Sequence, residues 1–436
     1  MQASPASAAT PAEAPRRRSL WRSLLLLAGV LGPGFVTASA GNDVGGIATY
    51  SSAGASFGYD ILWLMIPLAV ALIVVQEMSA RMGCVTGKGL AALIRESFGV
   101  RLSVLAMLVL FLINTLITST EFAGIAAASE HFGISRYLAI PAALIAVFFF
   151  VLRFNSKIVE RVFVTFSLIY LTYIVSAVLA KPDWHHVVTG TLIPHIELHQ
   201  VGWVAMVVTV IGTTISPYMQ FFLQSQVVEK GSRSDDLTFT RIDVTNGSIL
   251  AIALAGFMII ANAATIFLAN EHGAKLNPQT AMDFAVALQP LAGSAAALIF
   301  AIGILNAGLF TATVLPLSTS YIVCEALGFE AAIDRRFSEA PAFFILFAAG
   351  LLLGAGFVLI PGLPLLKMIL FAQLLQGILL PFELALMLII INRKQIMGEH
   401  TNSRLANVIA WATAVVIGLL SLLYVAGQFI PQLLGS

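Results

Sequence analysis

The sequence predicts an all-α membrane protein of about eleven transmembrane helices: a five-plus-five inverted repeat with helices 1 and 6 broken, plus one extra C-terminal helix. Three observations predict this. Of 436 residues, 59% are hydrophobic and only 10% charged, against about a quarter charged in a water-soluble domain. The charges fall between apolar stretches, several of which reach the roughly 20 residues that cross a hydrocarbon core as a helix. Two of the stretches, the first and the sixth, crowd helix-weakening residues at their centres.

The chain opens with Arg16 to Arg18 followed by Leu24 to Val30, the layout of a secretion signal. The apolar run nevertheless continues past Val36 without a small-residue cleavage site, so a retained first span is expected. Residues Met1 to Pro15 are rich in Ala, Ser and Pro, and segment 1–20 is expected to be a disordered cytoplasmic tail. The expected spans are 24–50, 60–82, 101–127, 137–153, 161–180, 201–226, 244–269, 293–323, 342–360, 365–391 and 406–430. They divide into a first repeat (21–200), a second repeat (201–392) and an eleventh helix in 393–436. With the N-terminus inside, only Arg136, Lys181, Lys275 and Lys367 of the 23 Lys and Arg lie outside. Cytoplasmic loops hold such an excess, and dropping one span would reverse every later loop and spoil it. A bacterial-type plasma membrane, a cytoplasmic N-terminus and an external C-terminus follow as expectations. Cys84 and Cys324 then sit on the cytoplasmic side, where thiols stay reduced, and no disulfide is expected.

The first break holds Gly32-Pro33-Gly34 and then Gly41-Asn42-Asp43-Val44-Gly45-Gly46. The sixth-span break holds Gly212-Thr213-Thr214-Ile215-Ser216-Pro217-Tyr218, where Pro217 removes a donor and frees the carbonyl of Thr213. Unpaired backbone at membrane depth is tolerated only inside protein or beside a water-filled cavity. Breaks five spans apart suit an inverted repeat, because an odd repeat length flips the second unit and brings the breaks together at a substrate site. Ordinary Gly and Pro kinks are the plainer alternative. A carboxylate at a helix centre costs about 2.5–3.5 kcal/mol on insertion scales, so Asp43 calls for compensation. A cation supplies it, and a cap on a half-helix is the alternative. With no His or Cys in either break, the available ligands are oxygens, which suit hard ions such as magnesium, calcium or manganese.

At these residues the chain resembles the Nramp transporters of divalent metals. The first span, from Gly32-Pro33-Gly34 to Gly58-Tyr59, looks like the family's opening span with Asp43 as its metal-binding aspartate. Ala80-Arg81-Met82-Gly83-Cys84-Val85-Thr86-Gly87-Lys88 and Leu380-Pro381-Phe382 extend the likeness. The resemblance implies the LeuT-type form of the five-plus-five fold. Where the family reads Asp-Pro-Gly-Asn, this chain has Asp43-Val44-Gly45-Gly46, so Gly46 stands at the ligating asparagine. Where the family reads Met-Pro-His, it has Ser216-Pro217-Tyr218. Losing the thioether removes a bias toward softer transition metals. In Thr120-Glu121-Phe122-Ala123-Gly124 only the first of two family acids survives, as Glu121. Together with Tyr218 in place of histidine, this puts proton coupling in doubt and resembles the Nramp-related magnesium transporters.

The metal-site candidates are therefore Asp43, Thr213, Gln373, Ser216 and Gly46, with Glu121, Tyr218 and Glu383 as candidates for gating or coupling. Gln373 aligns with a glutamine that the family uses near its metal; a polar contact between helices is its alternative. Glu383 lies about 15 Å along the axis from Gln373, suited to the inner exit path or to a salt bridge near the interface. Glu77 and Arg81 read as an i,i+4 pair. Asn306, Thr311, Thr313, Ser318, Thr319 and Ser320 suit helix packing. His185, His186, His195 and His199 read as a surface segment more readily than as a metal-capture patch. No HExxH, GxSxG or phosphate loop is present, and no enzyme activity, cofactor or nucleic-acid partner is expected. The expected function is alternating-access transport of Mg2+, with Mn2+, by a monomer-competent protein in the lipid bilayer, without tight proton coupling. The rivals are a proton-coupled Mn2+/Fe2+ transporter and an organic-cation or amino-acid symporter of the same fold.

Overall fold

The computed structural model describes residues 41–153, 168–329 and 337–429. Residues 1–20, the Gly32-Pro33-Gly34 motif and the start of the fifth span lie outside the described residues. Every regular element described is helical. Fourteen helices matter here: α1 Val44–Phe57, α2 Met65–Thr86, α3 Leu90–Phe98, α4 Val100–His131, α5 Arg136–Arg153, α6 Leu171–Leu179, α7 Trp184–Leu192, α8 Val201–Thr214, α9 Pro217–Glu229, α10 Leu237–Asn262, α11 Ala296–Leu327, α12 Pro341–Val358, α13 Leu365–Ile391 and α14 Arg404–Phe429. Among the described residues, eight helical runs are long and apolar enough to cross a bilayer, and Arg136–Phe149 is a shorter apolar helix.

The two breaks divide the first and sixth spans. Asp43 has extended backbone (φ −68°, ψ −175°) and caps α1. In the sixth span α8 stops at Thr214, Ser216 is extended (φ −66°, ψ 134°), and Pro217 opens α9 at the position where its missing N–H costs nothing. The residue before a proline is pushed out of helical geometry, which makes Ser216 the joint.

α1 lies at the centre of the bundle, and every residue from Val44 to Gly54 is buried. Its small residues allow close approach: a Cβ on Gly54 would stand 2.3 Å from the Ile259 carbonyl of α10, and one on Gly124 of α4 would stand 2.5 Å from the Val44 methyls. The helix ends at Gly58, whose φ of +57° favours glycine. α8 meets α13 through a second small-residue contact, where a Cβ on Gly212 would lie 2.2 Å from the Gly377 nitrogen. α4 packs along α11 and α12, while α14 covers α13.

Several boundaries differ from the sequence expectation. α1 runs to Phe57, past residue 50, because a helix surrounded by protein does not need an apolar exterior. The seventh span starts earlier, at Leu237, and passes through a π-turn at Ala263–Phe267 before ending at Glu271. A 3₁₀ stretch, Ala281–Leu288, precedes α11 and was not expected. The tenth span, 365–391, coincides with α13. Glu77 and Arg81 pair at 3.0 Å, and Arg241 joins Glu77 at 2.7 Å. Cys84 and Cys324 are buried free thiols.

Candidate functional site

Two carboxylates converge on the N-terminus of α1. Asp43 Oδ1 accepts the Gly46 N–H at 2.6 Å. From α4, Glu121 Oε2 accepts the Val44 N–H at 3.3 Å and Oε1 the Thr120 hydroxyl at 3.2 Å. Gly45 lies beside the pair, where a Cβ would stand 3.1 Å from Asp43 Oδ1. A helix N-terminus presents about half a positive charge, against up to two negative charges here. The only buried cationic side chain among the described residues is Arg81, which is held by Glu77 and by the carbonyls of His400 and Thr401. Among the described residues, no buried cationic side chain is left to balance the pair.

Beside this helix end lies the break between α8 and α9. The Thr213 hydroxyl is 2.8 Å from the Thr209 carbonyl, 3.2 Å from Thr49 Oγ1 and 3.2 Å from Gln373 Oε1, so it joins α8 to α1 and α13. Gln373 Nε2 has no partner and presses on Gly45, where a Cβ would lie 1.7 Å from it. The two ends of a primary amide have nearly the same shape, and reversing this one presents its carbonyl oxygen to Gly45 and the Asp43 carboxylate. The structure therefore brings together Asp43, Glu121, Thr213 and Gln373.

Ser216 and Gly46 differ from a simple ligand role. The Ser216 hydroxyl turns back onto the carbonyls of Gly212 (3.0 Å) and Thr213 (2.9 Å), so the carbonyl that Pro217 frees already accepts a hydrogen bond. Gly46 has no side-chain ligand, its N–H is engaged by Asp43, and a Cβ would lie 2.6 Å from the Gly41 carbonyl. Tyr218 is buried among Ile117, Met219, Leu315 and Ala372. Glu383 is not in a salt bridge: it is buried, and neither oxygen has a partner. Its distance along α13 keeps it out of the Asp43 group.

The sequence reading missed Thr49, which closes the site from α1, and the Tyr50 to Thr214 contact at 3.0 Å. Both fall within two turns of Asp43, the signal that was available. It also missed Gln220, Gln224 and Gln376, polar residues inside apolar spans. In the eighth span, Thr313, Ser318, Thr319 and Ser320 bond back to carbonyls of their own helix. Among the described residues, no three or more His, Cys, Asp or Glu share a position that could hold a metal. The outer histidines engage acids instead: His186 meets Asp183 at 3.1 Å and His195 meets Glu197 at 2.9 Å. The hydrogen bond that the His195 ring donates to Glu197 raises the imidazole above its ordinary range. The His186 N–H, followed by that of His185, lowers the Asp183 carboxyl.

Residues 34–427 match the family described as "Natural resistance-associated macrophage protein-like". The chain is 28% identical over 401 residues to the divalent metal cation transporter MntH of Yersinia pestis (strain Pestoides F), covering 89% of this chain and 93% of that protein. Its structure is similar to that of the Eremococcus coleocola manganese transporter, with a TM-score of 0.72 and 20% identity over 96% of this chain and 90% of that one. It also resembles MHP1, a nucleobase-cation-symport-1 family transporter, with a TM-score of 0.57 and 14% identity over 92% and 93% of the two chains.

Proposed function

This chain belongs to the Nramp family, and from that premise we propose that it carries a divalent metal cation through the membrane by alternating access about Asp43. The observation that carries the reading is the pair Asp43 and Glu121 at one buried helix end, with no buried cationic side chain beside it among the described residues. A cation entering there meets carboxylate oxygens and the Gln373 amide oxygen, both hard ligands, while the Thr213 carbonyl, which accepts the Ser216 hydroxyl, has only its second lone pair to offer. Mg2+ keeps several waters and takes only one or two carboxylates, so an oxygen-only site without a thioether suits it, and Mn2+ fits the same ligands.

The same residues support transport without tight proton coupling. The position of the family's second α4 acid is Gly124, and the room beside it is filled by Val44. The position of the α9 histidine is Tyr218, packed among apolar side chains. A proton path through those positions lacks its titrating groups.

The test is uptake into liposomes reconstituted with the full-length protein, comparing Mg2+, Mn2+ and Ca2+ for wild type and Asp43→Ala. Mg2+ uptake that falls at least tenfold in the variant, with no accompanying internal acidification, is expected. Manganese uptake that acidifies the lumen and excludes magnesium would return the chain to the proton-coupled branch. Absence of any cation flux in the wild type would overturn the assignment.

A further inference from the structure

Glu383 is the only buried carboxylate among the described residues with neither oxygen bonded. It lies in α13 ten residues after Gln373 and ten before Arg393, about 15 Å along the helix axis from each. Arg393 marks the far end of that path, where its guanidinium donates to the Ser97 carbonyl at the end of α3. Gln373, Gln376, Leu380, Glu383 and Met387 follow one another at spacings of three and four, which places them on one face of the helix. All five are buried. On that face Gln376 has both amide atoms unpaired. α9 packs against α13 and carries Gln220, whose amide atoms are also both unpaired.

A carboxylate retained only for structure would be expected to have an Arg, Lys or hydroxyl partner, because burying it alone is costly. An apolar residue would fill the same space without that cost. Intramembrane acids mark ion pathways by default, and this one stands midway between the Asp43 group and the Arg393 end. We propose that Glu383 is a second cation subsite, at which the divalent cation is held with its remaining waters between the Asp43 site and the Arg393 end of α13. The inference rests on the transport reading above. Gln376 is seven residues from Glu383, about 10.5 Å along the axis, so the amide and the carboxylate act in succession and not in one coordination shell. A single carboxylate with water ligands suits a hard, hydrated ion.

The experiment uses the full-length protein with Mg2+ as probe. Uptake is measured in proteoliposomes and binding stoichiometry by equilibrium dialysis in detergent, for wild type, Glu383→Gln, Glu383→Asp and Asp43→Asn. Two binding equivalents are expected in the wild type, with one lost in Glu383→Gln and the other in Asp43→Asn. Uptake by Glu383→Gln should fall at least tenfold while its thermal unfolding midpoint stays at or above that of wild type. Glu383→Asp, which keeps the charge, should retain binding of both equivalents. Wild-type uptake by Glu383→Gln would overturn the subsite, and so would reduced uptake with both equivalents intact. Asp43→Asn separates the two readings: if it leaves uptake unchanged, the central site fails, whereas the subsite alone fails if Asp43→Asn is inactive and Glu383→Gln behaves as wild type.

Discussion

The Ser216 hydroxyl decides what the break between α8 and α9 offers to an ion. Its contacts with the Gly212 and Thr213 carbonyls engage the backbone oxygens that Pro217 would otherwise leave free. Pro217 made the freed Thr213 carbonyl legible in the sequence. The return of the hydroxyl was not legible, because a serine chooses among staggered rotamers according to the local backbone. Ser216→Met tests the position. It removes both hydrogen bonds and brings a thioether to the joint, so Mn2+ should compete about tenfold better against Mg2+ uptake, a shift of about 1.4 kcal/mol in relative binding. Unchanged competition would place residue 216 outside the ligand sphere. Ser216→Ala isolates the other role: leaving a buried acceptor unsatisfied costs about 1–3 kcal/mol, and should appear as a lower unfolding midpoint in detergent.

At the scale of elements, glycine contacts position the site. Gly212 and Gly377 bring α8 and α13 within backbone contact, which sets Gln373 beside Thr213. In Gly212→Ala the new methyl would meet the Gly377 nitrogen at 2.2 Å, and neither backbone can yield as a flexible side chain does. Overpacking of this kind costs about 1–3 kcal/mol, so the variant should unfold at lower temperature and lose Mg2+ uptake. Gly256→Ala in α10 is the control, since its nearest neighbour is Met65 Cγ at 3.8 Å and alanine favours the helix. Equal stability of the two alanine variants would refute the packing argument. The tenth span and the sixth-span break were legible because apolar length and proline chemistry are local properties. The end of α1 was not: Ser51, Ser52, Gly54 and Ser56 look like the end of a span until the structure shows the first three of them buried at the centre of the bundle. Nor did the sequence reveal that Gly124 is the space into which Val44 fits, because that contact joins residues 80 positions apart.

For the whole molecule, composition and hydropathy announce the membrane, while the distribution of Lys and Arg predicts an orientation. The convergence of Asp43, Glu121, Thr213 and Gln373 could be anticipated only by adding a repeat architecture to the sequence, because Asp43 and Gln373 are brought together by tertiary packing alone. Orientation is a property of the entire chain, since one span more or fewer reverses every loop after it. The excess of basic residues on one side therefore makes a prediction that local structure cannot. Lys275, in the loop after the seventh span, should face outward, whereas Asp235, in the loop before it, should face the cytoplasm; both are exposed. Single cysteines introduced as Lys275→Cys and Asp235→Cys can be compared in intact cells with a membrane-impermeant thiol reagent. The native Cys84 and Cys324 are buried and should contribute little background. Labelling of Lys275→Cys from outside, with Asp235→Cys labelled only after permeabilisation, is expected. The reverse pattern would invert the chain, so that the path from Asp43 past Glu383 would open on the external side.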